Sequence, residues 1–313
     1  MIWLGILIGI GITILVVLYA VFFFAFRKNR NTACKERSAP PGKTYEPYRE
    51  QILRGIDVVL AHEHEDVYIT SHDGLKLHAR YYHVADGAPL TIFMHGYRSS
   101  ALCDGNGAFI MSKRRGYNVL MVDQRAHGLS EGKVMTFGIK ERYDCLDWIK
   151  YANQRFGDTT PIILMGVSMG AATVMMAAGL DLPSNVKCVL EDSGFSSPSE
   201  IIKSVIRSMR LPVGLVYPVV RLSGRLFGGI DVEQADASSV EAVRDSKVPI
   251  LFVHGEADDF VPCDMSKACF EACGKAKRIL TVPGAGHGLS HCVDKDSYEN
   301  LVEEFLDEVV QII

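Results

Sequence analysis

Hydrophobic and polar positions divide the chain into an apolar start, a polar stretch and a long patterned remainder. From Ile2 to Phe26 no residue is charged, and at about 1.5 Å per residue a helix of that length crosses a hydrocarbon layer of about 30 Å. A cleaved signal peptide wants a basic start, a shorter apolar run and a small-residue cleavage site. This run starts without a cation and ends in Phe22-Phe23-Phe24-Ala25-Phe26, so residues 2–26 are expected to form a retained transmembrane anchor. Residues 27–47, polar and holding Pro and Gly, read as a linker, and 48–313 as the folded domain.

In that domain Val67–Thr70 and Leu75–Tyr82 flank Ser71-His72-Asp73-Gly74, whose Asp-Gly step suits a hairpin turn. Unbroken apolar runs then recur at Leu90–Met94, Tyr117–Val122, Ile162–Met165, Val186–Leu190, Ile250–Val253 and Arg278–Val282. Helical patterns lie between or after them, at Gly138–Phe156, Met169–Leu180, Met265–Cys273 and Ser297–Ile312. Such an alternation predicts a parallel sheet covered by helices on both faces, with ligands at the carboxyl ends of the strands. Ser193–Lys247, about 55 residues, is too long for a plain crossover. It predicts an inserted cap at about 195–245, built from Ser199–Met209 and Val213–Phe227 with breaks at Pro212 and Pro218.

Composition narrows the class. At 48% hydrophobic and 22% charged over 313 residues, the chain is too apolar for disorder and too charged for a multispanning protein. A net charge of −4 offers no footprint for nucleic acid. Arg27, Lys28, Arg30, Lys35 and Arg37 crowd the far end of the apolar run, which by the positive-inside rule puts the domain in the cytoplasm. The eight cysteines lack the spacing of a disulfide framework, and Cys34 reads as incidental rather than as a lipidation site. Cys269 and Cys273 sit one helical turn apart without a matching pair. His62-Glu63-His64-Glu65-Asp66 lacks the HExxH spacing that sets two imidazoles on one helical face. No phosphate-binding loop is present either, and no metal or cofactor is expected.

Chemistry concentrates at three predicted strand ends. Gly166-Val167-Ser168-Met169-Gly170 follows a buried strand and opens a helix, the setting in which a GxSxG turn strains the serine and exposes its hydroxyl. A serine hydroxyl needs a base, and the base needs an orienting carboxylate. His254-Gly255-Glu256-Ala257-Asp258-Asp259 and Pro283-Gly284-Ala285-Gly286-His287-Gly288 supply both at later strand ends. Asp258 is the preferred acid, with Asp259 and Glu256 open as alternatives. His287 is the preferred base, with His291 as a weaker one, and His254 reads as a loop brace. An oxyanion hole needs two amides, expected from Met169, after the nucleophile, and from Tyr97 in His95-Gly96-Tyr97-Arg98.

Together with Asp123-Gln124-Arg125-Ala126-His127-Gly128-Leu129-Ser130 and Val261-Pro262, these segments resemble the α/β-hydrolase superfamily. The likeness is strongest to its serine aminopeptidase-like branch and related bacterial membrane-anchored hydrolases, and it runs from about Glu65 to the C-terminus. It implies an eight-stranded, mostly parallel sheet, a helical cap after the sixth strand, a Ser168-Asp258-His287 triad, and a bracing role for Asp123–Ser130. The expected substrate is a small-molecule carboxylic or lipid-type ester, with a peptide-like substrate as the alternative. A non-catalytic ligand-binding homologue is the remaining reading.

Overall fold

The computed structural model describes residues 2–28, 37–234 and 236–310. Eight strands form one sheet in the order β1-β2-β4-β3-β5-β6-β7-β8. They are β1 (Glu65–Thr70), β2 (Lys76–Tyr82), β3 (Leu90–Met94), β4 (Asn118–Asp123), β5 (Ile162–Val167), β6 (Val186–Asp192), β7 (Ile250–Gly255) and β8 (Lys277–Val282). The hairpin strands β1 and β2 run antiparallel, β2 meets β4 antiparallel, and every pairing from β4 to β8 is parallel. Each expected strand is present within about two residues of its expected bounds, and the architecture is that of the α/β hydrolases.

Alternation along the central strands explains why they read as unbroken apolar runs. Ile92, Leu120 and Val122 pack on one face with Trp148 and Ile149, while Phe93, Val119 and Met121 pack on the other with Phe109 and Phe305. Side chains that alternate faces are all buried when both faces are covered. The covering helices are α2 (Arg49–Leu60), α3 (Ala101–Arg114), α4 (Glu141–Phe156), α5 (Met169–Ala178), α8 (Ser239–Arg244), α9 (Asp264–Ala272), α10 (Ser290–Val293) and α11 (Lys295–Val309). α4 begins three residues later than its pattern suggests: the Glu141 carboxylate at its first position accepts the amides of Thr136 (2.8 Å) and Gly138 (2.9 Å), and the Ile139 amide donates to the Thr136 carbonyl, which holds residues 136–139 in a turn ahead of the helix. The expected end of the last helix, at Ile312, falls outside the described residues.

The cap interval carries α6 (Pro198–Ser208) and α7 (Val213–Ser223), which runs on into a π-turn at Gly224–Gly228. The apolar helix α1 (Ile2–Ala25) is mostly exposed along its length. Only its last turns are enclosed: Phe22 and Phe26 join Phe137, Phe195, Tyr217 and Val220 in a third apolar cluster. Within the segment expected to be linker, residues 37–47 lie against the domain, with Ala39 buried and Arg37 paired with Asp57. Arg30, Cys34 and Lys35 fall outside the described residues.

Candidate active site

Ser168 stands between β5 and α5 with φ 56° and ψ −117°, a region an L-residue enters only under strain. Its amide donates to the Asp192 carbonyl at 2.8 Å. The flanking glycines leave room for the turn: a methyl group on Gly166 would sit 2.4 Å from Gly170, and one on Gly170 would sit 2.0 Å from the Met94 carbonyl oxygen. α5 therefore starts directly behind the serine, aiming the unpaired amides of its first turn at the same space.

Asp258 and His287 come together as the sequence predicts. The His287 Nδ1 lies 2.6 Å from Asp258 Oδ2, while Asp258 Oδ1 accepts the amides of Phe260 (2.9 Å) and Val261 (2.8 Å). Burial alone would raise the Asp258 carboxyl, but hydrogen bonds from His254 and His287 outweigh it and hold the group well below the usual carboxylate range. The alternatives are occupied elsewhere or face outward. Glu256 accepts from Thr281 Oγ1 at 2.7 Å on the surface, Asp259 is exposed at the crevice rim, and His291 pairs with Glu299 at 3.0 Å.

His254 fills the bracing place. Its Nδ1 meets Ser266 Oγ at 2.7 Å and its Nε2 meets the Val261 carbonyl at 2.8 Å, so it locks the loop that carries Asp258. Beside it Glu191 is fully enclosed, and burial raises its carboxyl to about 7.

Ser168 and His287 face one crevice of about 410 Å³. Its lining is mostly apolar, with Ile52, Phe93, Met111, Met165 and Leu190, and includes the polar Asp104, Asn106, Asp192 and Tyr298. Its outer edge includes Pro40, Pro41 and Tyr45 from the segment after α1. Burial pushes the Tyr45 hydroxyl up, so it stays un-ionised at neutral pH.

The loop after β3 lies close over the serine: a methyl group on Gly96 would be 3.2 Å from Ser168 Cβ. Two of its amides are already bonded, Gly96 to Asp104 Oδ2 at 2.7 Å and Arg98 to His127 Nε2 at 3.0 Å. The Tyr97 amide between them has no acceptor among the described residues. The sequence pattern does not single out Asp104. It sits in the first turn of α3 and also accepts from Ser99 Oγ at 2.6 Å, and Gly105 and Gly107 beside it obscure the helical pattern that would have drawn attention to it.

Asp123–Ser130 is a brace, as expected. Arg125 is buried and donates to Asp144 through Nε and Nη2 and to Asp73 through Nη1 and Nη2, and burial together with His95 lowers the His127 imidazole to about 3, so its neutral Nε2 can accept the Arg98 amide. His62 and His64 do not converge: His62 Nδ1 bonds the Val58 carbonyl and His64 lies beside Asp66. The grouping of possible metal ligands among the described residues, His72, Asp73 and Asp144, has both carboxylates already committed to Arg125. None of the described cysteines forms a disulfide.

Residues 108–312 match the sequence model of the prolyl oligopeptidase family. The uncharacterised protein YqkD of Bacillus subtilis strain 168 is 27% identical over 195 residues, 62% of this chain and 63% of its own. This chain thus spans less than two thirds of that relative. Among solved structures, the esterase Pf2001 of Pyrococcus furiosus superposes with a TM-score of 0.67 at 24% identity, over 81% of this chain and 94% of its own. Est1E of Butyrivibrio proteoclasticus, bound to ferulic acid, does so with a TM-score of 0.61 at 22% identity, over 78% and 99%.

Proposed function

The chain belongs to the prolyl oligopeptidase family, and from that premise we propose that it is a serine hydrolase that cleaves a carboxylic ester with Ser168 as nucleophile. The observation that carries this reading is the placement of the Asp258–His287 pair across one mostly apolar crevice from a strained Ser168. His287 takes the Ser168 proton as Oγ bonds to the carbonyl carbon, while Asp258 holds Nδ1–H and so fixes the tautomer. The amides of Tyr97 and Met169 receive the oxyanion. His287 then returns the proton to the departing alkoxide, leaving an acyl-enzyme that water cleaves by the same steps in reverse.

A mostly apolar lining favours an acyl chain, whereas the family's name favours an amide. p-Nitrophenyl esters of graded length and aminoacyl anilides separate the two. The ester reading expects kcat/KM to rise by up to about fourfold per methylene until the crevice is filled, with anilides far slower. Faster turnover of anilides than of every ester would make the chain a peptidase or amidase.

We further propose that α1 anchors the domain to a membrane with the catalytic part in the cytoplasm. Support comes from its length, its mean hydropathy of 2.8 and the basic residues that follow it. Protease added to intact cells should leave the domain whole, and its digestion while a cytoplasmic control survives would reverse the orientation.

A further inference from the structure

The cap presents an apolar stripe to solvent. On and beside α7, Leu211, Leu215, Pro218, Leu222 and Leu226 recur at helical spacing, and all five are exposed, Leu215 at 73%. The opposite face of the helix, with Tyr217 and Val220, is the one that packs on the domain. α7 is thus apolar on both sides, and core packing accounts for only one of them.

α7 and the turn after it adjoin α1. Gly224 closes on Phe26 and Gly228 on Phe22, where an added methyl group would lie 3.2 Å from either ring. Phe227 packs on Tyr19 and Phe22, with ring centroids 5.4 and 5.8 Å apart. From Gly224 to Gly228 the cap therefore runs back along the apolar helix, away from its C-terminal end. Tyr19 lies six residues before Ala25, a depth of about 9 Å at 1.5 Å per residue, and interfacial helices lie about 5–10 Å deep. Arg207 and Arg210, just before the stripe, are exposed and form no ion pair among the described residues.

We infer that α7 and the turn after it lie in the headgroup and upper acyl region of the leaflet into which α1 passes, with Arg207 and Arg210 meeting lipid phosphates. The same contact sets the crevice beside the bilayer. The Tyr97 hydroxyl donates to the Ala25 carbonyl at 2.8 Å, and Arg98 Nη2 donates to the Phe24 carbonyl at 2.6 Å, so the loop over Ser168 is tied to the last turn of α1. The inference rests on the anchor reading and not on the ester reading.

Its test is tryptophan quenching in the full-length protein, reconstituted in phosphatidylcholine–phosphatidylglycerol vesicles whose acyl chains carry bromine near the headgroup. Leu222→Trp adds a reporter on the stripe. Thr159→Trp adds one on the exposed loop before β5, at the opposite end of the parallel strands. The emission added at position 222 should be blue-shifted and mostly lost in brominated vesicles, and that added at position 159 should be neither. Red-shifted, unquenched emission at 222 would overturn the inference. Blue-shifted but unquenched emission would overturn it too, by placing protein, such as a second copy of the chain, over the stripe. Parent emission comes from Trp3 and from the core residue Trp148; its Trp3 part, read as the difference from Trp3→Phe, reports on α1 itself, and failure of that part to be quenched would remove the anchor and the inference together. Ester turnover on the same vesicles keeps either outcome separate from the hydrolase chemistry.

Discussion

Ser168→Ala turns over a p-nitrophenyl ester on the order of 10⁴- to 10⁶-fold more slowly than the parent, with its melting transition retained. The loss is that large because, in the proposed mechanism, Oγ forms the bond to the acyl group, and neither His287 nor the amides of Tyr97 and Met169 can do so in its place. The residual rate comes from binding and oxyanion stabilisation. The fold survives because the hydroxyl makes no hydrogen bond among the described residues on which a neighbouring element depends; the anchoring bond at this position runs from the backbone amide to Asp192. Steady-state kinetics on the purified variant measure the effect. Turnover within about an order of magnitude of the parent would remove Ser168 from the chemistry.

Asp258→Asn costs on the order of 10⁴-fold in kcat, whereas Asp259→Asn and Glu256→Gln stay within about an order of magnitude of the parent. Asp258 Oδ2 is the atom 2.6 Å from His287 Nδ1, and an amide nitrogen there would stabilise the wrong tautomer. The pH profile carries the same signature. A carboxyl whose pKa is depressed in the fold contributes stability above the ordinary aspartate value of 3.8 and loses it as pH falls through the lower folded value. Asp258 therefore stays ionised across the working range, and the parent's acid limb carries no step from Asp258. An ionisation near the ordinary aspartate value, or a larger loss in Asp259→Asn, would show that the acid is misassigned.

Much of the architecture is legible in the sequence because the strands of a parallel sheet are buried on both faces, and burial writes itself as unbroken apolar runs. The GxSxG turn is legible for a related reason: Gly170 packs so closely on Met94 that no side chain fits, and the motif records that steric demand. α2 and α3 are not legible. α3 interrupts its helical pattern with Gly105 and Gly107, and α2 buries one narrow stripe, Ile52, Ile56 and Val59, in an otherwise polar segment. The place of residues 37–47 against the crevice was equally hidden. Their polar, Pro-containing composition describes a spacer, while their contact with the domain depends on Ala39 and Tyr45 meeting surfaces distant in sequence. The sequence prefers Asp258 but leaves Asp259 and Glu256 open, since one residue of slip at the end of β7 turns a carboxylate outward; in the structure Asp259 is exposed and Asp258 meets His287.

The central claim, that Ser168 is the activated nucleophile of this crevice, is tested most directly by locating a fluorophosphonate adduct in the full-length protein by peptide mass spectrometry. The account predicts a stoichiometric adduct on the peptide containing Ser168, lost in Ser168→Ala and strongly slowed in His287→Ala. An adduct on a different serine, or none on folded protein that still turns over ester, would contradict it.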